Sequence, residues 1–204
     1  MGRDMNALDL RSFFILTLRA PREAGEQFLA MQLPARAMWI ALSLVSVLTS
    51  LGFSGLMYLG QGADDQFAQM FGQSPVYSAP LVFAAMQWVR AILSVFMFYW
   101  VGRMMGGQGA LEDVLRVATL LQAVTFVLMS GLLLAGIVLP FVMSLLILVT
   151  FFWWIRAMAL LLALVHGFDS VFKAAGALLL SMLGVTIGVS FFFGAIANLF
   201  LGVS

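Results

Sequence analysis

The chain has 204 residues, of which 63% are hydrophobic and 9% are charged. An ordinary soluble domain carries about 25% charged and about 45–50% apolar residues, and a fold of this size buries only about 70% of its unfolded surface. A soluble fold would leave large apolar patches in water, so the composition predicts a membrane protein with several spans. The 10 basic and 9 acidic residues give a net charge of +1, which indicates no nucleic-acid partner.

The supply of chemically reactive side chains is small. The sequence contains no cysteine and a single histidine, His166. Thiolate chemistry and cysteine-ligated metals are excluded, and one imidazole does not make a histidine-rich metal site or a proton relay. The sequence also shows no paired carboxylates of the kind that general acid–base catalysis uses, no EF-hand loop and no zinc pattern. We therefore expect no cofactor, no metal, no catalytic residue and no enzymatic activity.

The N-terminal segment, residues 1–36, is predicted to be an amphipathic helical lead at the cytoplasmic membrane surface. Apolar residues from Leu10 to Leu18 recur at helical spacing, but this stretch is too short to span a bilayer. Pro21 stands at the favoured first position of a second short helix, which Pro34 ends. Packing on the transmembrane bundle, contact with lipid headgroups and binding of a partner protein are the alternatives for this segment.

Long apolar stretches predict an all-α transmembrane domain in residues 37–204, because about 20 apolar residues cross a bilayer core of about 30 Å. The uncharged run 117–155 would be about 58 Å long as one helix, so Pro140 is predicted to divide it into two antiparallel spans. The runs lack the alternating polarity of a membrane β-barrel. The five predicted spans are about 37–59, 81–101, 118–138, 141–164 and 174–201.

The distribution of charge in the loops predicts the orientation. Arginine and lysine occur in the N-terminal segment, in the loop 102–116 and before the last span, whereas the loop after the first span carries Asp64 and Asp65 and no basic residue. By the positive-inside rule, the N-terminus is cytoplasmic and the C-terminus is outside. The expected location is the cell membrane, which is the inner membrane in a Gram-negative cell.

Three segments occur in a characteristic order: the lead FFILTLRAPREAGEQF, the glycine-rich turn GRMMGGQGALEDVLRVATLLQ, and the span FFWWIRAMALLLALVHG before a last, glycine-spotted span. Together with five spans, this order resembles the Yip domain family, the Ypt/Rab-interacting proteins. The resemblance extends from about Leu16 to the end, and the short lead is similar to that of bacterial-type members. It implies a non-enzymatic protein that organises the membrane or binds partner proteins in the membrane or cytoplasm.

Arg90 lies near the middle of the second predicted span, where an arginine costs about 2.5–3.5 kcal/mol on insertion scales. Gln87 and Ser94 share its helix face, and Gln122 on the third span is a candidate partner. No acidic residue lies deep in a predicted span. Two interpretations are open: a structural hydrogen-bond network, and a site for an anion or a lipid phosphate. The second would fit the alternative function, a small-solute, anion or lipid transporter or channel.

Trp153, Trp154 and Arg156 approach the cytoplasmic end of the fourth predicted span. Arg156 lies about 22 Å along the helix from Phe141. Tryptophans beside an arginine at this depth are typical of an interfacial anchor with a snorkelling cation.

The glycine-rich loop after the second span lacks both the preceding strand of a dinucleotide-binding fingerprint and the lysine of a Walker A loop. The sequence therefore predicts a structural turn. By the family resemblance the loop is also a candidate partner surface, with Gly102, Arg103, Gly106, Gly107, Gly109 and Asp113 as its residues.

Small residues form stripes on the first and last spans. Such stripes let helices approach closely, so they predict packing faces inside the bundle, with contact between copies of the chain as the alternative. The residues are Ser43, Ser46, Ser50, Ser54, Gly184 and Gly188.

Overall fold

The computed structural model describes residues 7–59, 79–138 and 140–201. Within these ranges the chain forms seven helices and no strand, which confirms the all-α prediction. Asp64 and Asp65 lie outside the described residues. The helices are α1 (Ala7–Arg19), α2 (Pro21–Ala30), α3 (Ala35–Leu59), α4 (Pro80–Met104), α5 (Leu111–Val138), α6 (Pro140–His166) and α7 (Val171–Leu201).

Five of the described helices, α3 to α7, are long and apolar enough to cross a membrane, which confirms the prediction of a multi-span protein. Large apolar side chains cover the outside of the bundle, where lipid rather than water is the expected solvent. Examples with more than half of their surface exposed are Leu81, Trp100, Leu145 and Phe191.

All five long helices begin before the apolar segments that predicted the spans, and α5 and α7 do so by the widest margins. Helix α5 starts at Leu111, and α7 starts at Val171. The first turn of α5 carries Glu112 and Asp113, whose negative charges interact favourably with the positive end of the helix dipole. Because a helix can continue past the lipid boundary, these helix ends do not define the span boundaries, which stay predictions.

The five long helices form a closed ring. In ring order, α3 packs on α4, α4 on α7, α7 on α6, α6 on α5, and α5 again on α3. Consecutive helices α5 and α6 are direct neighbours, as the proline-divided hairpin predicts. The last helix, α7, therefore closes the ring by packing against α4, the second of the five long helices.

The core of the ring is concentrated at one end, which we call the loop end: the end where α4 joins α5 and α6 joins α7. Leu115, Leu161 and Leu178 there are at most 1% exposed. The opposite end, where α5 meets α6 near Pro140, is called the hairpin end. Most of the buried apolar side chains of the core cluster come from the half of each helix nearer the loop end.

Helices α1 and α2 lie against the outside of the ring, where α2 packs on α5 and α6. The break between them is local in origin, because Pro21 cannot continue the hydrogen bonding of α1 and forces Ala20 towards an extended conformation, with φ −134° and ψ 71°. Gly25 permits close packing, since a Cβ at this position would lie 2.5 Å from Cδ2 of Leu161.

Candidate functional site

A cavity of about 150 Å³ lies between the long helices, and all five of them contribute to its lining. Three of the four residues predicted to form a polar network around Arg90 line it, namely Arg90, Ser94 and Gln122. The fourth, Gln87, contacts Arg90 from the preceding turn of α4. Sequence-distant polar groups on α4 and α5 thus share one space.

Arg90 has a single hydrogen bond to a described residue. Its Nε–H donates to Oε1 of Gln87 at 2.9 Å. Arginine carries five N–H donors, so the four on its terminal nitrogens have no partner in the part of the chain that the structure describes. The described ion pairs, Arg22–Glu26 and Arg116–Asp113, involve other arginines. Arg90 is therefore a cation without a protein counter-charge in the described ranges.

The hydroxyl groups of the cavity already have acceptors. Ser94 donates to the carbonyl of Ala91 at 2.7 Å, and Thr186 donates to the carbonyl of Met182 at 2.9 Å. The side chain of Gln122 makes no hydrogen bond to a described residue. Among the lining residues, the donors without a hydrogen bond to a described residue are therefore the terminal nitrogens of Arg90, the amide of Gln122 and the indole N–H of Trp154.

The cavity borders the packed core on the side of the loop end. On each of α3 to α6 the lining residue nearest the loop end is buried, namely Leu42, Phe98, Ala118 and Met158. Further along, the lining includes buried residues such as Leu121 and half-buried or exposed ones, which are Arg90, Gln122, Trp154 and Thr186. The cavity is thus a vestibule whose floor is the packed core.

The glycine-rich loop surrounds His166, a contact that the sequence analysis missed. His166 is 2% exposed, and a Cβ at Gly102, Gly107 or Gly109 would collide with its imidazole ring. The backbone of the loop also joins α6 directly, because Gln108 N–H donates to the carbonyl of His166 at 3.0 Å. These three glycines are needed to make room for an aromatic ring.

Helices α4 and α6 end in matching glycine caps that make this contact. Gly106 and Gly167 adopt left-handed conformations, with φ of 85° and 65°. The amide after each glycine donates back into its own helix: Gly107 to the carbonyl of Gly102 at 2.9 Å, and Phe168 to that of Ala163 at 3.0 Å. This Schellman pattern satisfies terminal carbonyls of each helix and turns the backbone sharply after it. The segment after α4 and the segment after α6 therefore meet.

The imidazole of His166 is held in one orientation. Nε2 lies 3.2 Å from the carbonyl oxygen of Phe98, and because a carbonyl only accepts, Nε2 carries the proton. The ring stacks on Phe168 with centroids 5.4 Å apart, and the Lys173 ammonium lies 5.0 Å from the centroid of the Phe168 ring. Nδ1 is buried and has no partner among the described residues. His166 therefore ties α4, the loop and α6 together.

The other loop residues differ in role. Arg103 is exposed, and Asp113 accepts a hydrogen bond of 2.6 Å from Arg116. The Nε–H of Arg116 in turn donates to the carbonyl of Leu33 at 3.1 Å, which joins the N-terminal lead to α5. Of the six predicted loop residues, three glycines thus face His166 and Asp113 positions Arg116.

The two predicted anchor tryptophans face different surroundings. The indole N–H of Trp153 donates to the carbonyl of Leu18 at 2.9 Å, whereas Trp154 lines the cavity between the long helices. Arg156 is exposed. Leu18 is in the last turn of α1, where carbonyls lack helical partners, so Trp153 satisfies one of them.

The small-residue stripes lie at helix contacts inside this single chain. A Cβ at Gly188 would lie 2.7 Å from Cδ2 of Leu93, and one at Gly184 would lie 3.0 Å from Sδ of Met97, so α7 packs closely on α4. Ser43 accepts a hydrogen bond of 2.8 Å from the indole of Trp88. The remaining serines of the stripe, Ser46, Ser50 and Ser54, are at most 2% exposed.

A family model that describes the Yip1 domain matches residues 15–202. The match covers the end of α1, all of α2 and the whole ring. The chain is a Yip1-domain protein. This confirms the family to which the sequence analysis pointed. No curated protein and no solved structure matches the chain.

Membership in the Yip1-domain family agrees with the five apolar helices of a multi-span membrane protein. The sequence offered one signal that would have led to His166, because it is the single histidine of the chain and lies at the end of a predicted span. The contact itself joins residues 102–109 to residue 166 and needs the fold to bring them together.

Proposed function

We propose that this Yip1-domain protein is a non-enzymatic membrane protein that organises partner proteins at the membrane surface. The observation that carries the proposal is the charged outer face of α1 and α2, which are held against the ring. The exposed charged residues are Arg11, Arg19, Arg22, Glu23 and Glu26. We call this set the α1–α2 surface.

The inner side of the same two helices is buried. Helix α2 contacts α5 and α6 on this side. The buried residues of the two helices are Thr17, Pro21, Ala24 and Gly25. Charges of both signs on the outer face suit a protein partner better than a purely anionic lipid surface, which would favour basic residues alone. The inner side anchors the pair while the outer side stays available.

Two long-range hydrogen bonds fix this surface at both ends. Trp153 bonds Leu18 at the end of α1, and Arg116 bonds Leu33 just after α2. A surface that is already ordered loses less conformational entropy when a partner binds. This supports a role as a fixed platform.

Site-specific photo-crosslinking of the full-length protein in its native membrane tests the proposal. A crosslinking residue at Glu23 is expected to give a discrete protein adduct, and the adduct is expected to disappear when Arg22 and Glu26 are both changed to Ala. A crosslinking residue at Leu179, which is 64% exposed on the lipid side of α7, is the control and is expected to give lipid adducts. Identical adducts at Glu23 and Leu179 would contradict partner binding through the α1–α2 surface.

A second candidate function, passage of a small solute or anion, has one specific observation in its favour. Arg90 and Gln122 line a cavity that is accessible from outside, since Arg90 itself is exposed, as one half of a transport path would be. Its floor of Leu42, Phe98 and Met158 is buried, so passage requires these residues to separate. Solute flux through proteoliposomes that Arg90→Gln abolishes would support this function, and flux equal to that of empty liposomes would contradict it.

A further inference from the structure

We propose that the cavity between the long helices binds a phosphate group, carried by an anionic membrane lipid or free in solution, and that Arg90 and Gln122 are the residues that hold it. The site uses the same cavity as the second candidate function but needs no transport. It is also independent of the α1–α2 surface, so this proposal and the proposed function can fail separately.

Charge balance is the first argument. Arg90 lies ten residues from the start of α4, close to the middle of that 25-residue helix. A guanidinium at this depth is costly unless it is paired, and the lining residues include no carboxylate. A bound anion supplies the missing counter-charge.

The geometry of the donors is the second argument. Gln87 binds Nε of Arg90, which leaves the two terminal nitrogens free and fixes the plane of the guanidinium. A planar pair of N–H groups matches two oxygens of a phosphate, a bidentate contact that a lysine cannot make. The amide of Gln122 adds a neutral donor from a second helix, α5, while the hydroxyls of Ser94 and Thr186 already donate to their own helices.

The size and lining of the cavity are the third argument. A volume of about 150 Å³ accepts a phosphate group but not a whole phospholipid. Apolar side chains form most of the remaining wall, including Leu121, Met182 and Val185. Because Arg90 and Thr186 in the lining are exposed, the cavity can be reached from outside, so the acyl chains of a lipid would stay outside the ring while its headgroup enters.

Binding is measured on the purified full-length protein in dodecyl maltoside, with phosphatidylglycerol and inorganic phosphate as separate probes. Native mass spectrometry counts bound lipid, and the shift of the unfolding temperature measures affinity for each probe. Arg90→Gln is expected to weaken binding about tenfold or more, because it removes charge-assisted hydrogen bonds. Arg90→Lys is expected to weaken it as well, since the paired donors are lost.

Two further variants make the result specific. Gln122→Leu leaves the charge in place, and it is expected to weaken binding by a smaller factor of about three to tenfold through loss of one hydrogen bond. It also tests the site if Arg90→Gln does not fold. Arg156→Gln, which removes an exposed arginine of α6 outside the cavity, is expected to bind both probes as the unmodified protein does.

Each outcome decides the proposal. Loss of phosphatidylglycerol binding in the Arg90 and Gln122 variants, with no competition by inorganic phosphate, assigns the site to a lipid headgroup. Stabilisation by inorganic phosphate that the same variants lose assigns it to the free anion. Equal binding of both probes by the unmodified protein, the Arg90 variants and Gln122→Leu would overturn the proposal, as would equal losses in Arg156→Gln.

Discussion

At the residue scale, the role of several side chains depends on their surroundings in the fold rather than on their residue type. His166 is the clearest case, because its ring fills a space that exists only where Gly102, Gly107 and Gly109 have no Cβ. Arg90 and Arg116 show the same dependence on context: the first has one partner among the described residues, Gln87, whereas the second joins α5 to the N-terminal lead. Neither role can be read from the residue type alone.

The glycines around His166 give a prediction at this scale. Gly102→Ala is expected to lower the free energy of unfolding by about 1–3 kcal/mol, because the new methyl group overlaps three atoms of the imidazole ring. Thermal unfolding of the purified protein in detergent measures this change in stability. The matched control is Gly131→Ala in α5, where a Cβ would have nothing within 4 Å and alanine is expected to raise stability by about 0.5–1 kcal/mol.

A double-mutant cycle separates the steric effect from a general effect on α4. If the methyl group acts through His166, the cost of Gly102→Ala is expected to fall in a His166→Ala background. Additive costs would show that Gly102 acts through another neighbour.

At the element scale, the N-terminal helices are attached to the ring by a few directed bonds. Pro21 separates α1 from α2, and the carbonyls that this break leaves without helical partners include that of Leu18, to which Trp153 donates. Gly25 lets α2 approach α6. The lead is thus an integral part of the bundle at its inner side and a free surface at its outer side.

The bond from Trp153 gives a prediction at this scale. Trp153→Phe is expected to weaken the attachment of α1 by about 0.5–1.5 kcal/mol, because the indole N–H is lost while an aromatic ring remains. Trypsin is expected to cut faster after Arg19 and Arg22, both of which are exposed. Trp100→Phe, at an indole 61% exposed on α4, is the control. Unchanged cleavage rates in Trp153→Phe would show that the bond does not hold α1.

At the scale of the whole molecule, closure of the ring depends on the contact between α4 and α7. Gly184 and Gly188 accept Met97 and Leu93 of α4, and Ser181 donates to the carbonyl of Met97 at 3.2 Å. In lipid, where apolar surface gains little by leaving the solvent, such close packing is the main attraction between helices. The cavity that Arg90 lines exists because the ring closes around it.

Closure of the ring depends on the absence of a side chain at Gly188. Gly188→Leu is expected to destabilise the protein by about 1–3 kcal/mol, because a side chain there overlaps Leu93. Adding Leu93→Ala is expected to restore part of the loss. The measurements are thermal unfolding in detergent and the mass of the purified particle. Gly194→Leu, where a Cβ would have nothing within 4 Å, is the control. A change in oligomeric mass with no loss of stability would favour contact between copies of the chain.

The amino-acid sequence by itself determined that lipid surrounds the protein, that the fold is all-α, how many long apolar helices it has and to which family it belongs. Each of these follows from the composition, from the lengths of the apolar segments or from the order of the segments. It also singled out Arg90 as a charge deep in apolar sequence. Only the tertiary structure decided which faces meet: His166 with the glycine loop, Trp153 with Leu18, and Arg90 with Gln122 around one cavity. The physical reason is that lipid and protein interior are both apolar, so hydropathy along a membrane helix does not distinguish its inner face from its outer face.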